Sequence, residues 1–540
     1  MDYKKLADLL LPNVSSDISI YEKKYPERNV SFVSRFAPSP TGFIHMGSLY
    51  TAYISSLFAK KNNGVFYLRI EDTDQKRKVE NGIETIINDL EKFNINIDES
   101  PIIGGLYGPY IQSERKEIYL SYAKYLVENG MAYPCFCTKE ELDEVRKEQE
   151  SLKERTGYIG KWAKCRNLTF EEIKKNIDNE VSYVIRLKAP GNFDKKFEFK
   201  DLIKGKLMLP ENDNDIVLIK SDGLPTYHFA HIVDDHLMHT THIIRGDEWL
   251  SYLPVHYQLF RVFGFKVPKY AHVAPINKKD NNTIRKLSKR YDPECNIAYY
   301  FEKGIPVEVI KLYLATLINS NFENWYTNNI DRDISEFNFE FNKMSVSGPI
   351  FDLEKLISLS KTYFSTLKAE KIYDGLLEYY KIYNKEFYDL ISKYKEYTIN
   401  ILNIERLKKR PRKDLSCYSD FMNLFSYMYD EYYDKIEKVN LIRDYDKILS
   451  DFIDTYSVDD DEELWTSKIK KICSKYNYAS NMKEYNENPT LYNGHITDVC
   501  TLIRLAITYR YESPNIYEIL KVMGKERVSK RIDSFIKEAQ

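Results

Sequence analysis

The segment VSFVSRFAPSPTGFIHMGS, residues 30–48, passes from an alternating apolar pattern through a Pro- and Gly-rich turn into the start of a helix. Residues 30–36 alternate as a strand does, and residues 49–60 carry apolar side chains at helical spacing. Residues 65–70 predict a second strand, which ends at Glu71-Asp72-Thr73-Asp74. Strand, turn, helix and strand in this order predict a βαβ unit of a doubly wound α/β fold. Such sheets bind ligands at the carboxyl ends of their strands, so we expect the functional side chains there.

The remainder of the chain divides into an interruption, a second α/β part and a helical part. Residues 111–215 break the βαβ rhythm, residues 216–219 predict another strand, and a Lys-, Asn- and Asp-rich loop is predicted over 277–292. Beyond about residue 350 the apolar spacing is helical almost throughout. The last such set is Ile516, Ile519, Leu520 and Met523, with Ser513 as the predicted cap and Gly524 at the end.

Length, charge and composition exclude several classes of protein. The 540 residues indicate three or four domains, at about 150 residues per domain. The formal net charge of −2 excludes a globally basic nucleic-acid coat protein, and an apolar content of 43% excludes disorder as the main state. No run approaches the roughly 20 apolar residues of a membrane span. Because the seven cysteines are odd in number and mostly scattered, we expect a reducing compartment and a cytoplasmic protein.

Two segments carry residue types suited to nucleotide chemistry. His45-Met46-Gly47 lies between a predicted strand and a predicted helix, where free backbone N–H groups attract phosphate. Lys286-Leu287-Ser288-Lys289-Arg290 is a basic loop whose lysines can neutralise the charge that develops on a leaving pyrophosphate. Taken singly, a βα turn in which His45 only caps or packs, and a solvated basic loop, are the simpler explanations.

Together the two segments resemble the HIGH and KMSKS signatures of class I aminoacyl-tRNA synthetases. Longer motifs, from about residue 30 to the end of the chain, are similar to those of the bacterial-type glutamyl-tRNA synthetases. Several long motifs in the family's order are far more specific than a single His-x-Gly. The motifs are residues 35–42 (RFAPSPTG), 68–74 (LRIEDTD), 221–227 (SDGLPTY), 233–238 (VDDHLM), 241–246 (THIIRG), 348–356 (GPIFDLEKL) and the tail 505–531.

The resemblance implies an α/β fold with a class I Rossmann-type catalytic domain, an inserted acceptor-binding domain and a following all-α anticodon-binding domain. No role is assigned to the N-terminal extension. The implied division is the extension (1–29), the first Rossmann half (30–110), the insertion (111–215), the second Rossmann half (216–276), a connecting stem-contact domain with the KMSKS-like loop (277–360) and the helical anticodon-binding domain (361–540).

The same resemblance implies an enzyme that activates L-glutamate with ATP and Mg²⁺ and transfers it to the 3′ end of tRNA-Glu. In that reading Arg35, Arg245 and Tyr227 hold the side-chain carboxylate of glutamate, Glu71 accepts its α-ammonium group, and Ala37 and Ser39 line the pocket. The residues implied to contact ATP are His45, Gly47, Glu248, Ile276 and Lys289, and those implied to be catalytic are His45, Lys286 and Lys289. Asp234 and Asp235 are expected to support the framework.

The first signature departs from the family pattern because it ends in Ser48 rather than His, and position 231 is a His where relatives have other residues. The nearest rival is a glutaminyl-tRNA synthetase, which is disfavoured because that family reads anticodons with β-barrels and has a different first motif. A nucleotidyltransferase of the same superfamily acting on a small molecule is a second alternative, but it would not need the residues after 350. A silent tRNA-binding module would not need the whole set of predicted active-site residues.

Cys135, Cys137 and Cys165 fall in the predicted insertion, where some relatives bind a structural zinc. Tetrahedral zinc takes four ligands, and Asn167 excludes a Cys-x-His pattern, so Tyr158 is the candidate fourth ligand. Zinc and three free cysteines stay open as alternatives.

The expected partners are tRNA-Glu, L-glutamate and ATP, with no membrane, and the chain is expected to be a monomer. One basic cluster offers phosphate contacts for tRNA, although a solvated segment explains it equally well. Its members are Arg406, Lys408, Lys409, Arg410, Arg412 and Lys413.

Overall fold

The computed structural model describes residues 1–40, 42–74, 79–281, 283–330, 332–433 and 441–539. Thr41 of the RFAPSPTG motif lies outside these residues. The chain forms two compact units: Met1–Ile297 with Lys311–Asp352, and Ala298–Ile310 with Leu353–Gln540. Within the described ranges, no helix is both long enough and apolar enough to cross a membrane.

Within the described residues, the strands lie in the first unit. They are β1 (Val33–Phe36), β2 (Val65–Leu68), β3 (Ala132–Cys135), β4 (Val184–Leu187), β5 (Lys196–Asp201), β6 (Gly205–Pro210), β7 (Val217–Ile219), β8 (His242–Gly246), β9 (Lys269–Val273), β10 (Asn277–Asp280) and β11 (Thr283–Lys286).

Helices occur throughout the chain. Up to residue 352 they are α1 (Tyr3–Leu10), α2 (Ser19–Lys24), α3 (Met46–Lys61), α4 (Gly82–Lys92), α5 (Lys116–Glu128), α6 (Lys139–Ser151), α7 (Phe170–Asp178), α8 (Tyr227–Leu237), α9 (Leu253–Phe263), α10 (Ile297–Lys303), α11 (Val307–Ile318) and α12 (Phe322–Thr327). After it they are α13 (Leu353–Thr366), α14 (Ala369–Tyr383), α15 (Lys385–Lys393), α16 (Lys395–Asn403), α17 (Asp420–Phe425), α18 (Tyr445–Thr455), α19 (Glu462–Lys475), α20 (Met482–Glu487), α21 (Ile496–Thr508) and α22 (Ile516–Ala539).

Two parallel strand pairs form the scaffold of the first unit. β1 pairs with β2 from Val33↔Val65 to Phe36↔Leu68, and β8 pairs with β9 over their whole length. The Thr241 N–H donates to the Val33 carbonyl at 3.0 Å, which places the start of β8 beside the start of β1. The helix α3 that connects β1 to β2 is buried along most of its length, as expected for a helix packed between sheet and neighbours. The predicted βαβ unit is therefore confirmed.

The segment that interrupts this unit has antiparallel sheets of its own. β3, β4 and β7 form one sheet, and β5 and β6 form a hairpin. β7 hydrogen-bonds to β4 and not to the parallel pairs, although the predicted second Rossmann half begins at residue 216.

The N-terminal extension, to which the sequence assigned no role, contributes to the core of the first unit. Leu6, Ala7 and Leu10 of α1 are almost fully buried, and they belong to the same apolar cluster as side chains of α5. The Lys124 ammonium of α5 pairs with the Asp8 carboxylate at 2.7 Å. Residues 1–29 are thus part of the folded unit and not an appended tail.

The second unit is helical, as predicted, and its last helix shows one correct and one wrong boundary. Gly524 interrupts α22 with a left-handed backbone, φ 77°, where the sequence placed a helix end. The predicted cap, Ser513, is wrong because Asn515 directly precedes the helix. The Asn515 side-chain oxygen accepts the Tyr517 and Glu518 N–H groups at 2.9 and 3.3 Å, as an N-cap does.

Candidate active site

A cavity of about 1010 Å³ opens at the carboxyl ends of β1, β2 and β8. Its position agrees with the ligand site expected for a doubly wound sheet. Every residue that the sequence proposed for glutamate, ATP or catalysis lines this one cavity. They are Arg35, Ala37, Ser39, His45, Gly47, Glu71, Tyr227, Arg245, Glu248, Ile276, Lys286 and Lys289.

Arg35 and Glu71 line the cavity and belong to a buried ionic network that extends behind it. Arg35 pairs with Asp235 at 3.3 Å, while Arg69 donates to Asp235 at 2.8 Å and to Glu71 at 3.0 Å. Burial alone would raise the pKa of Asp235, but Arg35 and Arg69 hold it well below its usual range. Burial raises the pKa of Glu71, although Arg69 and Arg35 oppose this. Asp235 is therefore the counter-ion that lets two guanidinium groups stay buried.

Asp234 has the framework role that the sequence proposed for it. Its carboxylate accepts hydrogen bonds from Arg115 at 2.7 Å, Gln112 at 2.9 Å and Tyr119 at 2.7 Å. It is fully buried and fixes α8 to the neighbouring helix α5.

Arg245, at the end of β8, has different surroundings. Its Nε donates to His272 Nε2 and its Nη1 to His256 Nδ1, both at 3.1 Å, and its Nη2 reaches the Trp249 carbonyl at 3.4 Å. Among the residues that the structure describes, no carboxylate forms an ion pair with it. A buried, unneutralised guanidinium on a cavity wall attracts a carboxylate ligand.

An aromatic wall adjoins the two arginines. Tyr227 packs against the Trp249 ring at 4.3 Å and lies parallel to His231 at 5.6 Å. Within the described residues, the Tyr227 hydroxyl has no hydrogen-bond partner, so it is free to donate to a ligand in the cavity.

His45 caps the helix α3 and also lines the cavity. Its Nδ1 accepts the Gly47 N–H at 3.1 Å and the Ser48 N–H at 3.3 Å, so the ring proton lies on Nε2. Nε2 is 2.9 Å from the Ser48 hydroxyl. Burial, and after it the positive charges of Lys289 and Lys286, lower the pKa of His45 to about 4. At neutral pH His45 is therefore a neutral hydrogen-bond donor, and the positive charge that a phosphate ligand would need comes from Lys286 and Lys289.

Lys286 is the last residue of β11 and Lys289 follows it, and both side chains are exposed. The sequence predicted a loop over 277–292, but β10 and β11 pair antiparallel from Asn277↔Lys286 to Asp280↔Thr283. The prediction of a loop throughout was wrong because polar strands of a solvated hairpin lack the apolar alternation by which strands are recognised. Leu287 is buried and its N–H donates to the Ile276 carbonyl at 2.9 Å, which holds the basic segment over the cavity.

The three cysteines and the tyrosine proposed as zinc ligands lie together at the end of β3. The Sγ atoms of Cys135, Cys137 and Cys165 are all within 4.8 Å of one another. The Tyr158 hydroxyl is 3.4 Å from the Cys135 sulfur and 3.3 Å from the Cys137 sulfur. Three thiols and one phenol at these separations match the donor number of a tetrahedral site, so the residues fit the metal.

The basic cluster proposed for tRNA is divided by the fold. Arg406 is buried and donates to the Leu402, Phe364 and Leu367 carbonyls, so it serves the packing of the helical unit. Lys408 pairs with Glu518 at 3.0 Å. Lys409 and Arg410 are exposed.

Sequence reasoning missed the imidazoles around Arg245. His256 and His272 are both fully buried and contact Arg245 directly, and His228 Nδ1 is 2.9 Å from His256 Nε2. Trp249, which forms the aromatic wall, was also missed. The available signal was weak: the chain has nine histidines, and these three come from separate elements that only the fold brings together.

Comparison with known proteins gives two matching families. The family described as "tRNA synthetases class I (E and Q), catalytic domain" matches residues 31–358, and an "Anticodon binding domain" matches residues 466–536.

Several relatives match over almost their whole length. The glutamate–tRNA ligase of Acetivibrio thermocellus is 48% identical over 546 positions, which cover 99% of this chain and 100% of that protein. The glutamate–tRNA ligase of Clostridium perfringens strain 13 is 42% identical and covers 98% and 100%. A crystal structure of a glutamate tRNA ligase from Elizabethkingia meningosepticum in complex with its amino acid has a TM-score of 0.77 at 28% identity, covering 94% of this chain and 100% of that one. The Elizabethkingia anophelis glutamate-tRNA synthetase has a TM-score of 0.76 at 30% identity, covering 94% and 99%.

Proposed function

The chain belongs to the glutamate–tRNA ligases among the class I tRNA synthetases, and we propose that its cavity activates L-glutamate with ATP and transfers it to the 3′ end of tRNA-Glu. The observation that carries this assignment of the site is the single cavity in which a carboxylate-binding wall, a helix N-terminus and a basic segment meet.

The amino acid occupies the part of the cavity near the ends of β1 and β8. Arg245 and Tyr227 hold the side-chain carboxylate. Arg35, which also contacts Asp235, attracts the same carboxylate through its positive charge. Glu71 accepts the α-ammonium group, and Ala37 and Ser39 line the pocket beside it. The unneutralised charge of Arg245 supports this orientation, because a neutral carboxamide would leave that charge without a counter-ion.

ATP with Mg²⁺ occupies the part near α3. Its phosphates lie at the helix N-terminus, where His45 donates from Nε2 and Gly47 lets the nucleotide approach the backbone. Glu248 and the backbone near Ile276 contact the nucleoside part.

The chemistry proceeds in two steps. The α-carboxylate of glutamate attacks the α-phosphate, which forms glutamyl-adenylate and releases pyrophosphate. Lys286 and Lys289 neutralise the charge that develops on the leaving group. A hydroxyl of the terminal adenosine of tRNA then takes the acyl group and AMP leaves. The protein contributes mainly positioning and charge neutralisation.

Charging of purified tRNA-Glu and tRNA-Gln with labelled glutamate, and in parallel with labelled glutamine, tests the proposal. Glutamate on tRNA-Glu is the expected product, and glutamate on both tRNAs would identify a relaxed enzyme. A preference for glutamine would overturn the assigned roles of Arg35 and Arg245. No charging at all would overturn the function.

We propose further that Cys135, Cys137, Cys165 and Tyr158 hold a structural zinc ion, which would link β3 to the following turns. Metal analysis of protein purified without chelator should find about one zinc per chain, and Cys165→Ser should lose it. Cys500→Ser, which changes a cysteine outside the cluster, should retain it. Wild-type protein without zinc would refute the site.

We propose that tRNA binds the insertion (111–215) through its acceptor end, the connecting region (277–360) through its stem and the helical region (361–540) through its anticodon. The match of residues 466–536 to an anticodon-binding domain supports the last of these. We also propose a monomer that works in the cytoplasm, where tRNA and ATP are found, because one chain supplies every predicted site residue. Size-exclusion chromatography at working concentration tests the monomer.

A further inference from the structure

The buried arginines at the cavity differ in whether a carboxylate contacts them directly. Three arginines and three carboxylates pair with one another and leave no excess charge of either sign. They are Arg35, Arg69 and Arg115 with Glu71, Asp234 and Asp235. Arg245 is 5% exposed, yet within the described part of the chain it has no such partner. A guanidinium in this position needs hydrogen-bond acceptors that do not cancel its charge.

The structure supplies two imidazoles and one carbonyl as these acceptors. A guanidinium can only donate, so His272 Nε2 and His256 Nδ1 must both be unprotonated to accept from it at 3.1 Å. With the Trp249 carbonyl as the third acceptor, one N–H remains on each terminal nitrogen of Arg245. Two N–H groups are the number that a carboxylate binds bidentately.

Asp201 determines which nitrogen of His272 carries the proton. Its carboxylate accepts from His272 Nδ1 at 2.7 Å and from the His272 backbone N–H at 3.2 Å. Nδ1 is therefore the protonated nitrogen, and Nε2 is left as the acceptor that faces Arg245. Arg245 and His272 are opposite one another in the parallel pairing of β8 with β9, so the strand register itself fixes this contact.

We propose that His272 and Asp201 are positioning residues of the amino-acid pocket, which act through Arg245 to make the site select a substrate carboxylate over a carboxamide. This inference rests on the proposed glutamate-activating function and extends it to residues that do not line the cavity. Asp201 stabilises the buried guanidinium through the imidazole, and because it does not line the cavity it does not compete with the substrate.

The two arginines of the pocket show what this arrangement achieves. Asp235 contacts Arg35 directly and takes up the donor groups that a substrate would use. Had Asp201 contacted Arg245 in the same way, the substrate carboxylate would have met a neutral pair. The imidazole of His272 lies between Asp201 and Arg245 and fixes the orientation of the guanidinium, while one N–H on each terminal nitrogen stays available to the substrate. Burial lowers the pKa of His272, and Arg245 also lowers it while Asp201 opposes, which keeps the ring neutral as the arrangement requires.

The test compares two substitutions of His272 with a matched control. His272→Gln places an amide oxygen where Nε2 was, so it keeps an acceptor for Arg245, whereas His272→Phe keeps a planar ring without an acceptor. His242→Phe removes another largely buried imidazole of the same strand pair that stacks on Phe32 and does not line the cavity. Aminoacylation kinetics give KM for glutamate, KM for ATP, kcat and the preference for glutamate over glutamine.

His272→Phe should raise KM for glutamate by about tenfold or more and lower the preference for glutamate over glutamine by a similar factor, with KM for ATP unchanged. His272→Gln should recover most of the affinity, and His242→Phe should behave as wild type. Asp201→Ala should resemble His272→Phe, and it should have no further effect on KM in the His272→Phe background if it acts through His272.

Three results would refute the proposed positioning role of His272 and Asp201. They are equal losses in the Gln and Phe variants, parallel rises in KM for glutamate and ATP, and unchanged kinetics in folded His272→Phe. Asp201 also accepts the Ile203 and Lys204 N–H groups, so Asp201→Ala could fail to fold. In that case the comparison of His272→Gln with His272→Phe still tests the proposal. Wild-type protein that does not charge tRNA with glutamate would refute the function itself. Wild-type protein that does so, together with unaffected variants, would refute only the positioning role of His272 and Asp201.

Discussion

Arg35 and Arg245 are buried guanidinium groups on one cavity wall, but among the residues that the structure describes only Arg35 has an ion-pair partner. Arg35→Gln would leave Asp235 with Arg69 as its remaining guanidinium partner, and breaking a buried pair costs about 3 kcal/mol. Arg245→Gln breaks no described ion pair, so we expect a smaller loss of unfolding free energy and a fall of about a hundredfold in kcat/KM for glutamate.

Denaturant unfolding and charging kinetics on the two variants measure this contrast. Arg245→Lys serves as the control for charge, since it keeps a positive charge but loses the paired N–H donors of the guanidinium. Its kcat/KM for glutamate should stay strongly reduced. Equal destabilisation by both Gln variants would contradict the different surroundings described for the two arginines.

The hairpin of β10 and β11 presents the basic segment, and Asp292 is the group that holds the segment to it. Its carboxylate accepts from Arg285 at 2.6 and 2.9 Å and from the Ser288 N–H at 2.8 Å, and it pairs with Lys278 at 3.1 Å. Asp292→Asn should loosen the segment that carries Lys289, so we expect glutamate-dependent ATP–pyrophosphate exchange, measured with tRNA present, to slow by about tenfold.

Asp280→Asn is the matched control for that experiment. Asp280 also pairs with Arg285, at 3.2 Å, but it is exposed and does not contact the basic segment. Its substitution should change the exchange rate little, because exposed pairs contribute about 0–1 kcal/mol. Similar losses in the two variants would show that Asp292 has no special part in holding the segment.

The break in α22 offers a clean measure of backbone strain. Gly524 has φ 77° and nothing lies within 4 Å of a methyl group added there, so Gly524→Ala meets a strained backbone without a steric clash. We expect about 1–3 kcal/mol less unfolding free energy, by denaturant titration, while the exposed Lys525→Ala should be neutral. A gain in stability would mean that the two halves join into one continuous helix.

For the whole molecule, the sequence predicted those features that local patterns encode. The βαβ unit around β1 and the helical second unit follow from apolar spacing, and the residues of the cavity followed from motif resemblance, although their roles stay predictions. The imidazole contacts of Arg245 could not be predicted, because His256 and His272 share no sequence pattern: His272 meets Arg245 through the register of β8 with β9, and His256 comes from the helix α9. The polar hairpin was missed for lack of apolar alternation.

Buried neutral histidines also make the stability of the whole chain depend on pH. Burial lowers the pKa of six of them below the value of about 6.5 expected in the unfolded chain, and among these His45, His228 and His242 fall to about 4 and His231 to about 3. Since the unfolded state then binds more protons, this stability is present above about pH 6.5 and is lost as the pH falls towards about 4.

Each of the latter four histidines should cost about 1 kcal/mol of unfolding free energy between pH 7 and about pH 5.5, as measured by denaturant unfolding at a series of pH values. His242→Phe should make the dependence shallower, because it keeps the stacking on Phe32 but removes one titrating ring. A midpoint that stays constant or rises on acidification would mean that these imidazoles are charged in the folded protein. In that case His45 would meet the phosphates of ATP as a cation and not as a neutral donor.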